Sequence, residues 1–362
     1  VERLKKANNI LICGFLIVAG LYYGAGLLIP FTFAIFFAML VLPVVKMMEI
    51  KAGVGRLTSS FAGTLIIFLG VGLLFFFLIN EMTRFLADIV ERREEILAYF
   101  ETLRENVASK TRFSMEQQDE MLRESLLSVI NVTQTYISGF LTDLIGSLLD
   151  FLLILVFIFL LLVNRNKIVD FLMMYIPQEK KPETKEVIGE TSRVAHQYLW
   201  GRIKVMMILS IMYLITFVAY DMQHVGLLVI FGALITIIPF IGPFLSGLLP
   251  ILFMIGFGGS FAEIISFISI IVIIQLIESY VLEPLIMGSE MQQSPLFVII
   301  AVLFGGLVWG PAGFILFVPL FAMVKIICDH IPALKPVGFL MGYERPGSGG
   351  GIIQKIKKKL HN

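Results

Sequence analysis

Long apolar runs separated by short polar stretches dominate this chain. The first, Ile10 to Ile29, follows Arg3, Lys5 and Lys6 and stops at Pro30. It is too long for the apolar core of a secretory leader, and another run follows at once, so it reads as an uncleaved first span. Further runs cover about Phe31–Val45, Ser60–Ile79, Leu144–Val163, Val205–Tyr220 and Ala262–Ile277. Several approach the ~20 residues that a helix needs to cross hydrocarbon.

Two other runs are longer but interrupted. Val225–Phe257 is broken by Pro239, Gly242 and Pro243, and Leu296–Ile327 by Gly305, Gly306, Gly310, Pro311 and Gly313. Proline removes a backbone donor and frees a carbonyl that lipid cannot satisfy, so such breaks must pack in protein or line a wet cavity. Each half-run is shorter than a full span. The favoured reading is two re-entrant hairpins that enter from opposite sides and meet near the midplane. Two full crossings per run satisfy the charge pattern equally. Paired interrupted segments point to the site of a secondary transporter. The bland alternative is two tight helix–helix turns with no role in transport.

The polar intervals set the orientation. Lys and Arg concentrate at the amino terminus, at Lys46, Lys51 and Arg56, and from Arg165 through Lys180, Lys181, Lys185, Arg193, Arg202 and Lys204. Such residues mark the cytoplasmic side, which puts both termini inside. The interval 80–143 then lies outside. Phe85, Ile89, Ile96, Phe100, Leu103 and Val107 recur there at helical spacing. Ser114 and Gln117 form a capping-box pattern ahead of Leu122, Leu126 and Val129. This predicts a helical extracytoplasmic arm. Pro182-Glu183 opens an amphipathic helix carrying Val187, Val194 and Tyr198. Gly20 and Gly24 have the spacing of a close helix–helix approach, and Asp150 is expected to face a neighbouring helix. The expected order is spans 1–3 in 1–79, the arm in 80–143, span 4 in 144–163, a cytoplasmic loop with its helix in 164–204, a transport core with both broken hairpins in 205–328, and a cytoplasmic tail in 329–362. In that tail Pro346–Gly351 reads as a flexible linker, and the lysines after it as resting on anionic headgroups.

Composition agrees with the pattern. Hydrophobic residues make up 58% of the chain and charged residues 15%, and the mean hydropathy is +0.91. Soluble domains are nearer half apolar and a quarter charged. The fold class is an all-α polytopic membrane protein of about eight membrane segments, with the lipid bilayer as its first partner. The net charge of +1 gives no sign of nucleic-acid binding. Cys13 and Cys328 both lie in apolar runs and read as buried small residues, without disulfide or metal spacing.

The candidate chemistry lies at Gln275, Glu278, Tyr280 and Glu283, next to Pro284. Gln275 and Glu278 are three apart and share a helix face. Tyr280 is expected to place a hydroxyl close by, and Pro284 to end or kink the helix. Carboxylates beside a low-dielectric region can exchange protons near neutral pH, and they can also coordinate sodium through oxygen. Glu278 and Glu283 are therefore the candidate ligands for a coupling proton or sodium ion. The plainer reading makes them interfacial anchors paired with a basic residue, and Glu290 is taken that way. Trp309 is read as an interfacial or packing aromatic.

The run Glu278-Ser-Tyr-Val-Leu-Glu-Pro284, then Gly288, Pro295, Gly305-Gly306, Gly310, Gly313 and Pro319, resembles the carboxyl-terminal pattern of the autoinducer-2 exporter family, the PerM-like membrane transporters. The resemblance extends to the span order, the large insert after span three and the Pro239…Gly242-Pro243 element. It implies a multi-pass protein of the bacterial inner membrane that moves a small polar solute or a monovalent cation and assembles as a homo-oligomer. It also implies either autoinducer-2 export or sodium(lithium)/proton exchange.

Other classes fit less well. No HExxH zinc site, GxGD aspartyl pair or GxxxxGK[ST] phosphate loop is present, and the four histidines are scattered at 196, 224, 330 and 361. An intramembrane enzyme is not expected, no cofactor is expected, and a gradient rather than ATP should supply the energy. A non-transporting scaffold stays open as a further alternative.

Overall fold

The computed structural model describes residues 2–91, 135, 138–256, 260–287 and 293–342. Most of the expected arm, the Ser114 capping box, Gly288, Glu290 and the glycine-rich linker lie outside the described residues. The described residues form helices throughout: α1 (Glu2–Tyr23), α2 (Ala25–Lys51), α3 (Arg56–Glu91), α4 (Leu148–Met174), α5 (Lys181–Ala219), α6 (Val225–Ile235), α7 (Ile241–Gly256), α8 (Phe261–Ile277), α9 (Glu283–Met287), α10 (Pro295–His330) and α11 (Lys335–Met341). Six helical stretches are long and apolar enough to cross a membrane, and shorter apolar helices accompany them. This is a polytopic helical membrane protein.

Several boundaries differ from expectation. The break expected at Pro30 falls at Gly24, and α2 runs through Pro30. The residue four before Pro30 is Gly26, and the helix gives up only the one bond that proline cannot donate. A Cβ on Gly20 would meet nothing within 4 Å, so the Gly20/Gly24 spacing serves no close approach within the described chain. Asp150 and Cys13 are exposed rather than buried. The expected cytoplasmic helix and span five are one continuous helix, α5, ~58 Å long at 1.5 Å per residue. Likewise α3 continues past Ile79 to Glu91, and Phe85, the first position of the expected arm stripe, packs on Phe253 at 5.2 Å between ring centroids.

The chain divides into two compact units. The first comprises Val1–Pro43, Leu160–Gly201 and Met287–Asn362, the second Val44–Phe159 and Arg202–Ile286. In the first unit, the core gathers Phe36, Tyr198, Ala301, Trp309 and Phe317. Its main feature is α10, which is not one straight rod. Gly310 has φ +57° and ψ −136°, a conformation open essentially to glycine. Phe304 and Phe317 lie 5.6 Å apart between ring centroids, whereas thirteen residues of straight helix would separate them by ~20 Å. A Cβ at Gly305 would strike the backbone of Gly313, and one at Gly306 the ring of Phe314. The chain therefore doubles back at Gly310, and Pro311 opens the returning arm at a position where its missing N–H costs nothing. Gly305, Gly306 and Gly313 let the two arms touch. Trp309 packs edge-on against Phe317 and donates its indole N–H to the Leu21 carbonyl at 2.9 Å, so it is a packing residue.

In the second unit, α5 presents a buried stripe of Val205, Leu209, Tyr213 and Phe217. The four-residue spacing keeps these side chains on one face. They meet Leu228 and Val229 of α6, Phe253 and Met254 of α7, and Phe267, Ile271 and Ile274 of α8. Helices α6 and α7 form the other hairpin. They are ~16 Å and ~24 Å long, short of the ~30 Å hydrocarbon thickness. Their turn carries Pro239, and Phe240 adopts φ +65°. Gly242 N–H closes the turn on the Ile238 carbonyl at 2.8 Å. A Cβ at Gly242 would overlap the Ile235 carbonyl, so only glycine fits where α7 starts. The break elements read from the sequence thus turn the chain in both units.

Candidate functional site

The second unit assembles a polar cluster inside its apolar core. From α5 come Arg202 and Tyr213, from α7 Ser246, from α8 Gln275, and from the following turn Glu278 and Glu283. Helix α8 is started by a capping box: the Ser260 hydroxyl accepts from Glu263 N–H, while the Glu263 carboxylate accepts from Ser260 N–H at 2.8 Å. At its other end the backbone widens. Residues Glu278–Leu282 form a π turn, and Glu283 N–H donates to the Glu278 carbonyl, five residues back. Pro284 follows and does not end the helical path, since α9 continues through it to Met287. The π turn is the local consequence: proline withholds one donor, and the longer bond absorbs the mismatch.

Gln275 Nε2 donates to Tyr213 Oη at 2.9 Å and to Ser246 Oγ at 2.8 Å. Tyr213 O–H donates to Ser246 Oγ at 3.2 Å, and the Ser246 hydroxyl donates to the Pro243 carbonyl at 2.9 Å. Three helices are tied by this network. Gly232 of α6 completes its setting, since a Cβ there would lie 3.3 Å from the Tyr213 ring. The remaining atom of the amide, Gln275 Oε1, is buried without a hydrogen-bond partner.

Charge gathers one turn further on. Arg202 Nη1 donates to Glu283 Oε1 at 2.8 Å, and Arg202 Nη2 stands 3.7 Å from Glu278 Oε1. Glu278 has no exposed surface, Arg202 is nearly as buried, and the Glu283 side chain is 42% exposed. Neither Glu278 oxygen accepts a hydrogen bond, and Arg202 Nε and Nη2 donate none. Opposite charges at this separation attract by about 4 kcal/mol in a medium of dielectric ~20, which offsets part of the cost of burying them. One guanidinium faces two carboxylates, so the cluster carries one uncompensated negative charge when both are ionised.

Of the residues singled out in the sequence, Gln275, Glu278 and Glu283 come together here, and Pro243 joins through its carbonyl. Tyr280 does not: its side chain is 77% exposed and points away from the cluster, because the π turn rotates it off the Gln275–Glu278 side. Pro239, Gly242 and Pro284 shape the backbone of the same unit. Gly305, Gly306, Gly310, Pro311 and Gly313 form the turn of α10 in the other unit, and Gly288 lies outside the described residues. Sequence reasoning missed Arg202, Tyr213 and Ser246. Arg202 had been grouped with the cytoplasmic basic residues. Its signal was its register, four after Tyr198 and three before Val205, in line with the buried stripe.

A transporter site of this kind can be compared with known proteins. The profile described as "AI-2E family transporter" matches residues 11–333, nearly the whole chain. The chain belongs to the AI-2E transporter family. It is similar to the AI-2 transport protein TqsA of Escherichia coli (strain K12), 26% identical over 348 residues that cover 94% of this chain and 97% of TqsA. Two relatives from Bacillus subtilis (strain 168) also carry transport-protein names. YrrI is 23% identical over 314 residues, covering 85% of this chain and 87% of its own. YueF is 24% identical over 326 residues, covering 84% and 86%. Within the AI-2E fold of this chain, the buried charge and the three-helix network belong to one compact unit and adjoin its broken hairpin.

Proposed function

We propose that this AI-2E family member is a secondary transporter of the bacterial inner membrane that exports a small polar solute by alternating access, coupled to an ion gradient. The observation that carries the reading is the Arg202–Glu278–Glu283 cluster. A fully buried carboxylate with no hydrogen bond is costly inside a membrane protein, and such residues default to a functional role. Its uncompensated negative charge suits a proton or a monovalent cation. Binding of that ion would bias two conformations of the unit, since a ligand shifts an equilibrium only by its differential affinity for the two states. The α6–α7 hairpin is the element to move: its turn is held by backbone contacts at Gly242, and both arms are short. TqsA is named for AI-2 transport, which makes autoinducer-2 the first organic solute to try. Both termini are placed in the cytoplasm by the basic residues, and a homo-oligomer would cover part of the apolar surface left on α1 and α3.

A second reading, sodium(lithium)/proton antiport, is favoured by the same negative charge, because it needs no organic cargo. One experiment separates them. Purified protein is reconstituted into liposomes holding a pH dye, and sodium or lithium is added outside. Proton flux in wild type that Glu278→Gln abolishes supports ion coupling at this carboxylate. Solute efflux without cation-driven proton flux supports export and removes the antiport reading. Equal fluxes in wild type and Glu278→Gln, with only stability changed, would leave the protein a scaffold.

A further inference from the structure

Arg202 is shared unequally, and the inequality runs against stability. A buried guanidinium normally pairs in forked fashion with the most buried carboxylate, where water helps least. Here the 2.8 Å hydrogen bond goes to Glu283, which is 42% exposed, while Glu278, with no exposure, is left at 3.7 Å, beyond hydrogen-bond range. Both oxygens of Glu278 stay unpaired, as do Nε and Nη2 of Arg202. The backbone explains how both carboxylates reach one guanidinium. In an α-helix, residues five apart diverge by ~140°. The π turn over Glu278–Leu282 closes on a five-residue bond instead, and brings positions 278 and 283 toward the same side.

We propose, resting on the ion-coupled reading above, that Glu283 is a positioning residue that holds Arg202 off Glu278, and that Arg202 is a tethered cation competing with the transported ion for Glu278. With Arg202 parked on Glu283, the Glu278 carboxylate is open to a proton or an alkali cation. With Arg202 moved onto Glu278, the site is closed by an internal counter-ion. Only side-chain rotation is needed, since one guanidinium already stands within ion-pair distance of both. Charge counting makes the idea specific. Wild type sets one positive against two negative charges. Glu283→Gln leaves a balanced pair, so Arg202 falls onto Glu278. Arg202→Gln with Glu283→Gln restores a single free negative charge at 278.

The test uses reconstituted full-length wild type, Glu283→Gln, the Arg202→Gln/Glu283→Gln double variant, and Glu283→Asp, which keeps the charge. Two readouts are taken: sodium-driven proton flux, and labelling at position 278 by dicyclohexylcarbodiimide, an apolar reagent for carboxyl groups in apolar surroundings, read by mass spectrometry. If Arg202 occupies Glu278 in nine molecules of ten, apparent cation affinity falls about tenfold. Glu283→Gln is therefore expected to lose flux about tenfold at limiting sodium and to lose labelling. The double variant recovers both, and Glu283→Asp stays near wild type. A Glu283→Gln variant that labels like wild type overturns the proposal. So does a double variant as poor as Glu283→Gln, which would make Glu283 itself the ion ligand. Absence of flux in wild type would sink the ion-coupled reading instead, and labelling would still decide whether Glu283 restrains Arg202.

Discussion

Substituting Gly313 by alanine separates a folded-back α10 from a straight one by sign. In a straight helix, Gly305 and Gly313 would stand ~12 Å apart, and Gly→Ala would stabilise by ~0.8–1 kcal/mol. In the structure a Cβ on Gly313 would lie 2.9 Å from the Gly305 Cα and closer still to its carbonyl. Carbon atoms pack best at ~3.5–4.0 Å, so the arms must part by ~0.6–1 Å. That displacement loosens the contacts of Phe317 with Phe304 and Trp309, now at 5.6 Å and 5.1 Å between centroids. Overpacking of this kind costs ~1–3 kcal/mol. Gly310→Ala should also destabilise, by ~1–3 kcal/mol, with no clash at all, because only its φ is unsuitable. Gly70→Ala, in α3 with open space around it, should be neutral or stabilising by up to ~1 kcal/mol. Unfolding by added dodecyl sulfate, followed through tryptophan fluorescence, ranks the variants, and Trp309 sits at the hairpin itself. A Gly313→Ala protein more stable than wild type would refute the doubled-back geometry.

Three further outcomes are expected. Glu278→Gln should abolish cation-driven proton flux in liposomes while the protein still elutes as a folded species. Unchanged flux would remove this carboxylate from the mechanism. Tyr213→Phe takes an acceptor from Gln275 and a donor from Ser246, and should cost ~1–2 kcal/mol in the same unfolding assay. A Ser246→Ala variant in that background should add less than its separate effect, because both act through one network. Ser260→Ala removes the cap of α8 and should cost ~1 kcal/mol, and hydrogen exchange should rise in the first turn of α8 while the Glu278 end stays protected.

Much of the fold was open to a reader of the sequence. Apolar runs of span length need no tertiary information, because the hydrocarbon thickness and the helical rise set the count. The two hairpins were visible as well. Proline cannot donate and glycine alone accepts a positive φ, so Pro239–Pro243 and Gly310-Pro311 had to interrupt their runs. The carboxylates of the site stood out because charge is rare in such surroundings. Harder to see was where helices continue. Pro30 looked like a boundary and lies inside α2, since one lost bond opposite Gly26 is cheaper than a turn. The basic residues before span five looked like a loop, but α5 carries them straight into the core.

Pairing was the part that only tertiary structure decided. Arg202 belongs by composition to a cytoplasmic collar, and its neighbour Lys204 is indeed exposed. What makes Arg202 different is the helix that packs across it, bringing Glu278 and Glu283 to its guanidinium from more than seventy positions away. Tyr213 and Ser246 read as ordinary members of apolar helices until Gln275 reaches both. Local spacing also promised Tyr280 to the site, and the π turn sent it outward. Hydrophobic period and backbone stereochemistry are properties of neighbouring residues, so the sequence alone determined the spans and the breaks. Which buried charge meets which depends on the packing of helices distant in the chain, and that was decided by the tertiary structure.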